Sequence, residues 1–151
     1  MQIIDSSNTG YPGLPDSLIH IAPISDINLI QTKPNQEAIP PAAIGKEPEH
    51  GYCYYFQKTA LAQQSGDSEL AYSFAQETLN QDLHPQYAPD LAPMILAFLE
   101  KEDYDSADSL ISGSQIGSDD RDYLCTYWTN KLQDRFSDPE LQNFYKSHGC
   151  L

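Results

Sequence analysis

From Tyr52 onward, apolar side chains recur at three- and four-residue spacing, the signature of one face of an α-helix. Tyr52, Tyr55, Phe56, Thr59, Ala60 and Gln63 predict a first helix over residues 49–65. Gly66 stops it, and Asp67 or Ser68 caps a second helix carried to about Asp82 by Ala71, Phe74, Ala75, Thr78 and Leu79. So short a turn makes the two helices antiparallel neighbours, and His84-Pro85 closes the hairpin. The pattern then starts again. Pro89-Asp90 opens a third helix with Pro93 in its first turn, and Leu91, Met94, Ile95, Phe98 and Leu99 form its apolar side. Glu102-Asp103 makes the turn into a short fourth helix bearing Tyr104, Ala107, Leu110 and Ile111.

After a loop between Gly113 and Gly117, Ser118 or Asp119 caps a fifth helix to about Phe136. Its buried side is Leu124, Tyr127, Trp128, Leu132 and Phe136. Ser137-Asp138-Pro139-Glu140 reads as a capping box with proline in the first turn. Leu141, Phe144 and Tyr145 face inward on a sixth helix that frays toward Leu151.

The chain before residue 50 is written differently. Seven of the 11 prolines fall there, and Pro34, Pro40, Pro41 and Pro48 mark a linker. Asn8-Thr9-Gly10 and Pro12-Gly13 break regular structure. Over residues 16–31, Ile19 and Ile21, then Ile27 and Leu29, alternate with other residues, so short strands or extended chain divided by Pro23 fit best. A short helix over 26–30 also fits. The expected organisation is an extended N-terminal segment and linker over 1–49 and an all-α domain of about six helices over 50–151.

Charge narrows the partners. The formal net charge is -14, from 22 acidic and 8 basic residues. Such a chain repels phosphate backbones and anionic lipid surfaces, which disfavours nucleic acid and polybasic membrane docking. Between Asp67 and Asp122 the only cations are Lys101 and Arg121, so a solvated acidic face, or one that docks a basic partner, is expected. No apolar run approaches the length of a spanning helix, and the first residues lack the basic stretch and apolar core of a signal peptide.

The cysteines are Cys53, Cys125 and Cys150. An odd count without a CxxC spacing argues against a disulfide framework or a zinc knuckle. Cys53, set among aromatics, reads as a small buried hydrophobe, and Cys150 as exposed in the tail.

The two hairpins resemble the tetratricopeptide repeat, a helix-turn-helix unit of about 34 residues. Tyr55 is similar to the bulky aromatic of the first repeat, Gly66 to its turn glycine, Ala71 to its small residue and Pro85, slightly late, to its closing proline. In the second unit Phe98 stands at the tyrosine position, Glu102-Asp103-Tyr104 resembles the glycine-aspartate-tyrosine turn, and Ala107 and Ile111 match the small and bulky positions. Gly66 and Glu102 are 36 residues apart, and Lys58-Thr59 replace the usual leucine-glycine. The resemblance implies stacked hairpins with a groove that binds a peptide or a partner domain. The stretch from Glu49 to Asp67 and the repeat after it also resemble soluble C-terminal regions of bacterial multi-spanning membrane proteins of glycosyltransferase type. That resemblance implies an accessory tail with no transferase chemistry of its own.

Catalytic patterns are missing from the sequence. It contains no GxxxxGK[ST], no GxGxxG and no HExxH. Asp103, Asp105 and Asp108 lack the glycine and distal glutamate of a calcium loop, and helix capping accounts for Asp103. His148-Gly149-Cys150 offers two metal donors on a tail without rigid geometry. Neither cofactor nor metal is expected. The best recognition candidates are Tyr54 and Tyr52, from a run of aromatics that cannot all face the core, together with His84. The leading expectation is a non-catalytic protein-interaction module for a protein or peptide, with a basic partner favoured. The alternatives are the accessory tail and a small ligand-binding protein whose pocket gathers Tyr54, His84 and carboxylates.

Overall fold

The computed structural model describes residues 15–21 and 49–151. The regular elements among the described residues are all helices, with no strand. A short helix α1 spans Asp16–Ile21. Six more follow: α2 (Tyr52–Gln64), α3 (Ser68–Asn80), α4 (Leu91–Glu100), α5 (Tyr104–Ser112), α6 (Ser118–Lys131) and α7 (Pro139–Ser147).

Helix α1 corrects the expectation of extended chain over 16–21. The Leu18 amide donates to the Pro15 carbonyl at 2.8 Å, which starts the helix, and Asp16 and His20 stand at the ends whose dipole they complement. The alternation of Ile19 with Ile21 was too short a pattern to resist this local chemistry. The rest of the expected extended segment, the 26–30 helix and the linker lie outside the described residues.

The turn between α2 and α3 is three residues long, as is the turn between α4 and α5, so each pair is an antiparallel hairpin. The two turns share a backbone form. Gly66 has φ +76° and Glu102 has φ +60°, both in the left-handed region. Each helix end is closed by paired bonds: Asp67 N to Ala62 O with Gly66 N to Gln63 O, and Asp103 N to Phe98 O with Glu102 N to Leu99 O. Asp67 then accepts from Leu70 N to cap α3, and Asp103 accepts from Ser106 N to cap α5. Glycine enters the left-handed region freely, whereas Glu102 carries the cost of a Cβ there.

Helix α4 is the centre of the fold. Every residue from 91 to 99 is buried, and the helix packs against α2, α3, α5 and α6. A helix apolar on all sides must be surrounded on all sides, and each large side chain here, such as Met94, Ile95 or Phe98, contributes about 2 kcal/mol by leaving water. Close packing around it depends on small residues. Ala71 and Ala75 on α3 and Ala107 on α5 are wholly buried.

The last two helices cover the far side of α4 and α5. Trp128 on α6 is 2% exposed, donates its indole N–H to Ala92 O at 3.0 Å, and meets the Phe144 ring of α7. Three details differ from the sequence reading. The fifth helix ends at Lys131 and a 3-10 turn over Gln133–Arg135 follows, because the chain must reverse toward α7. Neither Ser118 nor Asp119 caps α6; Gly117 stands at its N-cap without a side-chain bond. Asp138, rather than Ser137, caps α7, accepting from Glu140 N at 2.9 Å.

The cysteines correct the sequence reading twice. Cys125 and Cys150 form a disulfide, their Cα atoms 5.3 Å apart. A separation of 25 residues carried no signal in the chain, because the hairpin that joins them is a tertiary feature. Cys53 is exposed rather than buried, since Tyr52 and Tyr55 take the inward positions of the first turn. The tail is also more ordered than expected. Gly149, with φ +71°, ends α7, and Cys150 N donates to Tyr145 O at 2.8 Å.

Candidate functional site

The contacts of Tyr52, Tyr54 and His84 are with different neighbours. Tyr52 is only 8% exposed and donates its hydroxyl to Asp90 O at 3.0 Å, joining α2 to the start of α4. Tyr54 is half-buried, with its ring stacked on His50 at 3.6 Å and edge-on to Tyr55. His84 is exposed. Its Nε2 is 3.1 Å from Asp82 Oδ1, and its ring rests on Gly113 so closely that a Cβ there would sit 2.6 Å from His84 Cε1. Neither Tyr54 nor His84 lines the two hollows beside the last helix.

Two hollows instead flank α7. The larger, about 560 Å³, lies between α5 and α7. Glu102, Asp103, Asp105, Asp108 and Glu140 supply its carboxylates, and Tyr104 and Phe144 its aromatic surface. Among the described residues no Lys, Arg or His lines it. Its charge is held in place by the helix ends. Tyr72 donates to Asp103 at 2.8 Å, and Tyr104 donates to Asp138 at 3.2 Å. Burial alone would raise the Asp103 carboxyl, but hydrogen bonds from Ser106 and Tyr72 outweigh it and hold that carboxyl below the usual range. The Glu140 amide, with Arg135 and Tyr104, does the same for Asp138. Burial and the bond to Asp138 push the Tyr104 phenol up to about 12.

Arg135 borders this acidic face and ties three elements together. Its Nη1 donates to Leu99 O at 2.8 Å and to Glu100 O at 3.3 Å, covering the C-terminal carbonyls of α4. Its Nη2 donates to Glu102 at 3.0 Å and to Asp138 at 3.1 Å. A guanidinium fork serves two carbonyls and two carboxylates at once, which an ammonium point charge does not.

The second hollow, about 420 Å³, lies between α6 and the end of α7. Its floor is Ile111, Ile116, Leu124 and Trp128, and the disulfide forms part of its wall. Arg121, Lys146 and His148 bring positive or chargeable groups to it. His148 Nε2 lies 2.6 Å from Asp108 Oδ1, and this pair stands between the two hollows, since Asp108 lines the acidic one.

In the sequence Asp103, Asp105 and Asp108 stand close together without the glycine and distal glutamate of a calcium loop, and capping accounts for Asp103 alone. Asp103 is indeed a cap. What the one-dimensional reading missed is that Glu140 and Phe144, one hairpin later, face the other two across a hollow. Arg121 stands out in the sequence only as one of two cations in an acidic stretch, and Lys146 draws no reading there. Their scarcity was the available signal, since only 8 residues of the chain are Lys or Arg. Among the described residues no three His, Cys, Asp or Glu side chains converge as metal ligands, and no helix is long and apolar enough to cross a membrane.

Against known protein families, curated proteins and solved structures, the chain finds no match.

Proposed function

We propose that this chain is a non-catalytic protein-interaction module, built from tetratricopeptide-like hairpins, that takes a basic segment of a partner protein into the acidic hollow between α5 and α7. The observation that carries the reading is the composition of that hollow: five carboxylates and two aromatic residues around about 560 Å³. Such a surface suits Lys and Arg side chains, which gain from carboxylates and from aromatic faces together. Arg135 supplies an internal precedent, a guanidinium received by Glu102 and Asp138 on the rim of the same face.

Three matched features support the repeat reading. Gly66 and Glu102 both turn with positive φ, Asp67 and Asp103 both cap the following helix, and Ala71 and Ala107 both have no exposed surface. A groove running over α4 would have no exposed floor, because residues 91 to 99 are all buried. The hollow beside α5 is therefore the better seat for a partner.

The test is a titration with a Lys/Arg-rich peptide that also carries aromatic residues. Binding should weaken steeply with salt, and Asp105→Lys with Glu140→Lys should abolish it; both residues are exposed, so the fold tolerates the change. Asp119→Lys with Asp122→Lys makes the same change in net charge on exposed positions of α6 and should leave most of the affinity. If the two double variants lose affinity equally, the peptide reads only overall charge and the assignment of the hollow fails.

A further inference from the structure

The hollow beside the disulfide has the opposite character, and it stands independently of the acidic one. From its lining we infer that it is a binding site for a small organic carboxylate with an apolar body. Three observations lead there. The first is size: about 420 Å³ falls within the range of ligand pockets, roughly 300–1,000 Å³. The second is the apolar floor, where Ile111 and Ile116 keep part of their surface open beside the enclosed Leu124 and Trp128, so the isoleucines give a hydrocarbon or aromatic body somewhere to leave water. The third is charge. In a chain with 22 acidic and only 8 basic residues, Arg121 and Lys146 both line this one hollow. Among the described residues neither is held in an ion pair.

Geometry separates the two cations from His148, the third basic group of the wall. His148 is engaged by Asp108 at 2.6 Å, so it forms a side of the hollow rather than its charge. Arg121 lies along Gly149: a Cβ there would stand 3.6 Å from its Nη1, in ordinary contact, so the guanidinium rests against the chain reversal. The disulfide fixes that reversal to α6, and thus fixes the end of α7 relative to Arg121 and Trp128. A free phosphate would use the cations and leave the apolar floor idle. A neutral hydrocarbon would do the reverse. A carboxylate on an apolar body uses both, with the arginine fork and the ammonium taking the oxygens.

Trp128 is the only tryptophan of the chain, so its indole N–H is a single, assignable reporter at the site. The oxidised full chain is titrated with sodium phenylacetate, hexanoate and indole-3-acetate while the Trp128 indole and nearby amides are followed by NMR. The salt is held at about 0.15 M, where the distant acidic surface is screened. At least one acid should give saturable shifts confined to residues around Trp128 and His148. Its neutral amide should bind at least about tenfold more weakly, a difference of roughly 1.4 kcal/mol. Arg121→Gln with Lys146→Gln should bring the acid down to the level of the amide; both positions are exposed, and helical circular dichroism checks the fold. The acid-against-amide comparison needs no variant at all. Equal affinity for acid and amide, full affinity in the double variant, or no saturation by any of the three acids up to about 10 mM overturns the assignment.

Discussion

Tyr72 on α3 donates its phenol to the Asp103 carboxylate at 2.8 Å, and the other oxygen of that carboxylate caps α5 through Ser106 N. One side chain thus fastens the second helix of one hairpin to the start of the second helix of the next. Tyr72→Phe should cost about 1 kcal/mol, the net worth of one such bond. Asp103→Ala loses the cap as well and should cost more, about 1–2 kcal/mol. Because the two residues share the contact, the double variant should fall short of the sum of the singles. The pH dependence has a definite sign. Asp103 and Asp138 both titrate below the usual carboxylate range in the folded chain. Their contribution is therefore present above the unfolded value, about 3.9, and is lost as pH falls through the folded values. Urea midpoints should drop on acidification below about pH 4, and Asp103→Asn should flatten that drop. An unchanged acid limb in Asp103→Asn would contradict the account.

Ala71 and Ala107 have no exposed surface, and each lies on the helix that follows a left-handed turn. A tryptophan at either position has to displace its neighbours in the core around α4. Each substitution should cost at least about 1–3 kcal/mol by overpacking. Ala71→Ser, nearly equal in volume, should cost much less than Ala71→Trp. Thermal unfolding of the pair measures the difference, and a Trp variant as stable as the parent at both positions would remove the basis for treating the hairpins as equivalent.

Much of this architecture was legible because it rests on local chemistry. Gly66 and Asp67 are neighbours, and so are Glu102 and Asp103, so each turn and cap is contained within a few residues. The apolar spacing of α4 was equally plain, although nothing in the spacing said that all of 91 to 99 would be enclosed. The site was far less legible. The acidic hollow joins Asp105 and Asp108 to Glu140, and the basic one joins Arg121 to Lys146, across gaps that only the packing of α7 sets. Tyr52 attracted notice as one of a run of aromatics, yet its hydroxyl is spent on Asp90 O inside the fold. A single sequence reveals which residue types are unusual, but their meeting points depend on how hairpins stack.

Arg135 should be among the most sensitive charged residues of the chain. It covers the carbonyls of Leu99 and Glu100, and it also neutralises Glu102 at the left-handed turn. Arg135→Ala uncovers the end of α4, and the loss of the carbonyl bonds should cost about 1–2 kcal/mol. Arg135→Lys keeps the charge but cannot serve carbonyls and carboxylates together, so it should recover less than half of that loss. Salt sorts the two contributions: the carboxylate pairs are partly exposed and weaken with salt, whereas the carbonyl bonds persist. If Arg135→Lys matches the parent in urea at both low and high salt, the fork geometry is irrelevant and only charge matters.

The Cys125–Cys150 disulfide closes a loop with a sequence separation of 25 that contains the 3-10 turn, the Asp138 cap and all of α7. In the chain-entropy account, a cross-link over a loop of that length stabilises by about 3.5 kcal/mol. Reduction, or Cys125→Ser with Cys150→Ser, should therefore lower the unfolding free energy by an amount of that order. The effect should also be local. The bond from Cys150 N to Tyr145 O holds the reversal after α7, and its hydrogen exchange should quicken far more than that of amides in α4. Leu141, Phe144 and Tyr145 remain buried against the rest of the core, so α7 should stay docked rather than detach. Thiol counting provides the control. Cys53 is exposed and free, so the oxidised chain should react with a thiol reagent at that residue alone, and at all 3 cysteines once reduced and unfolded. Exchange that quickens equally in α4 and α7 would mean that the cross-link supports the whole bundle rather than its last hairpin.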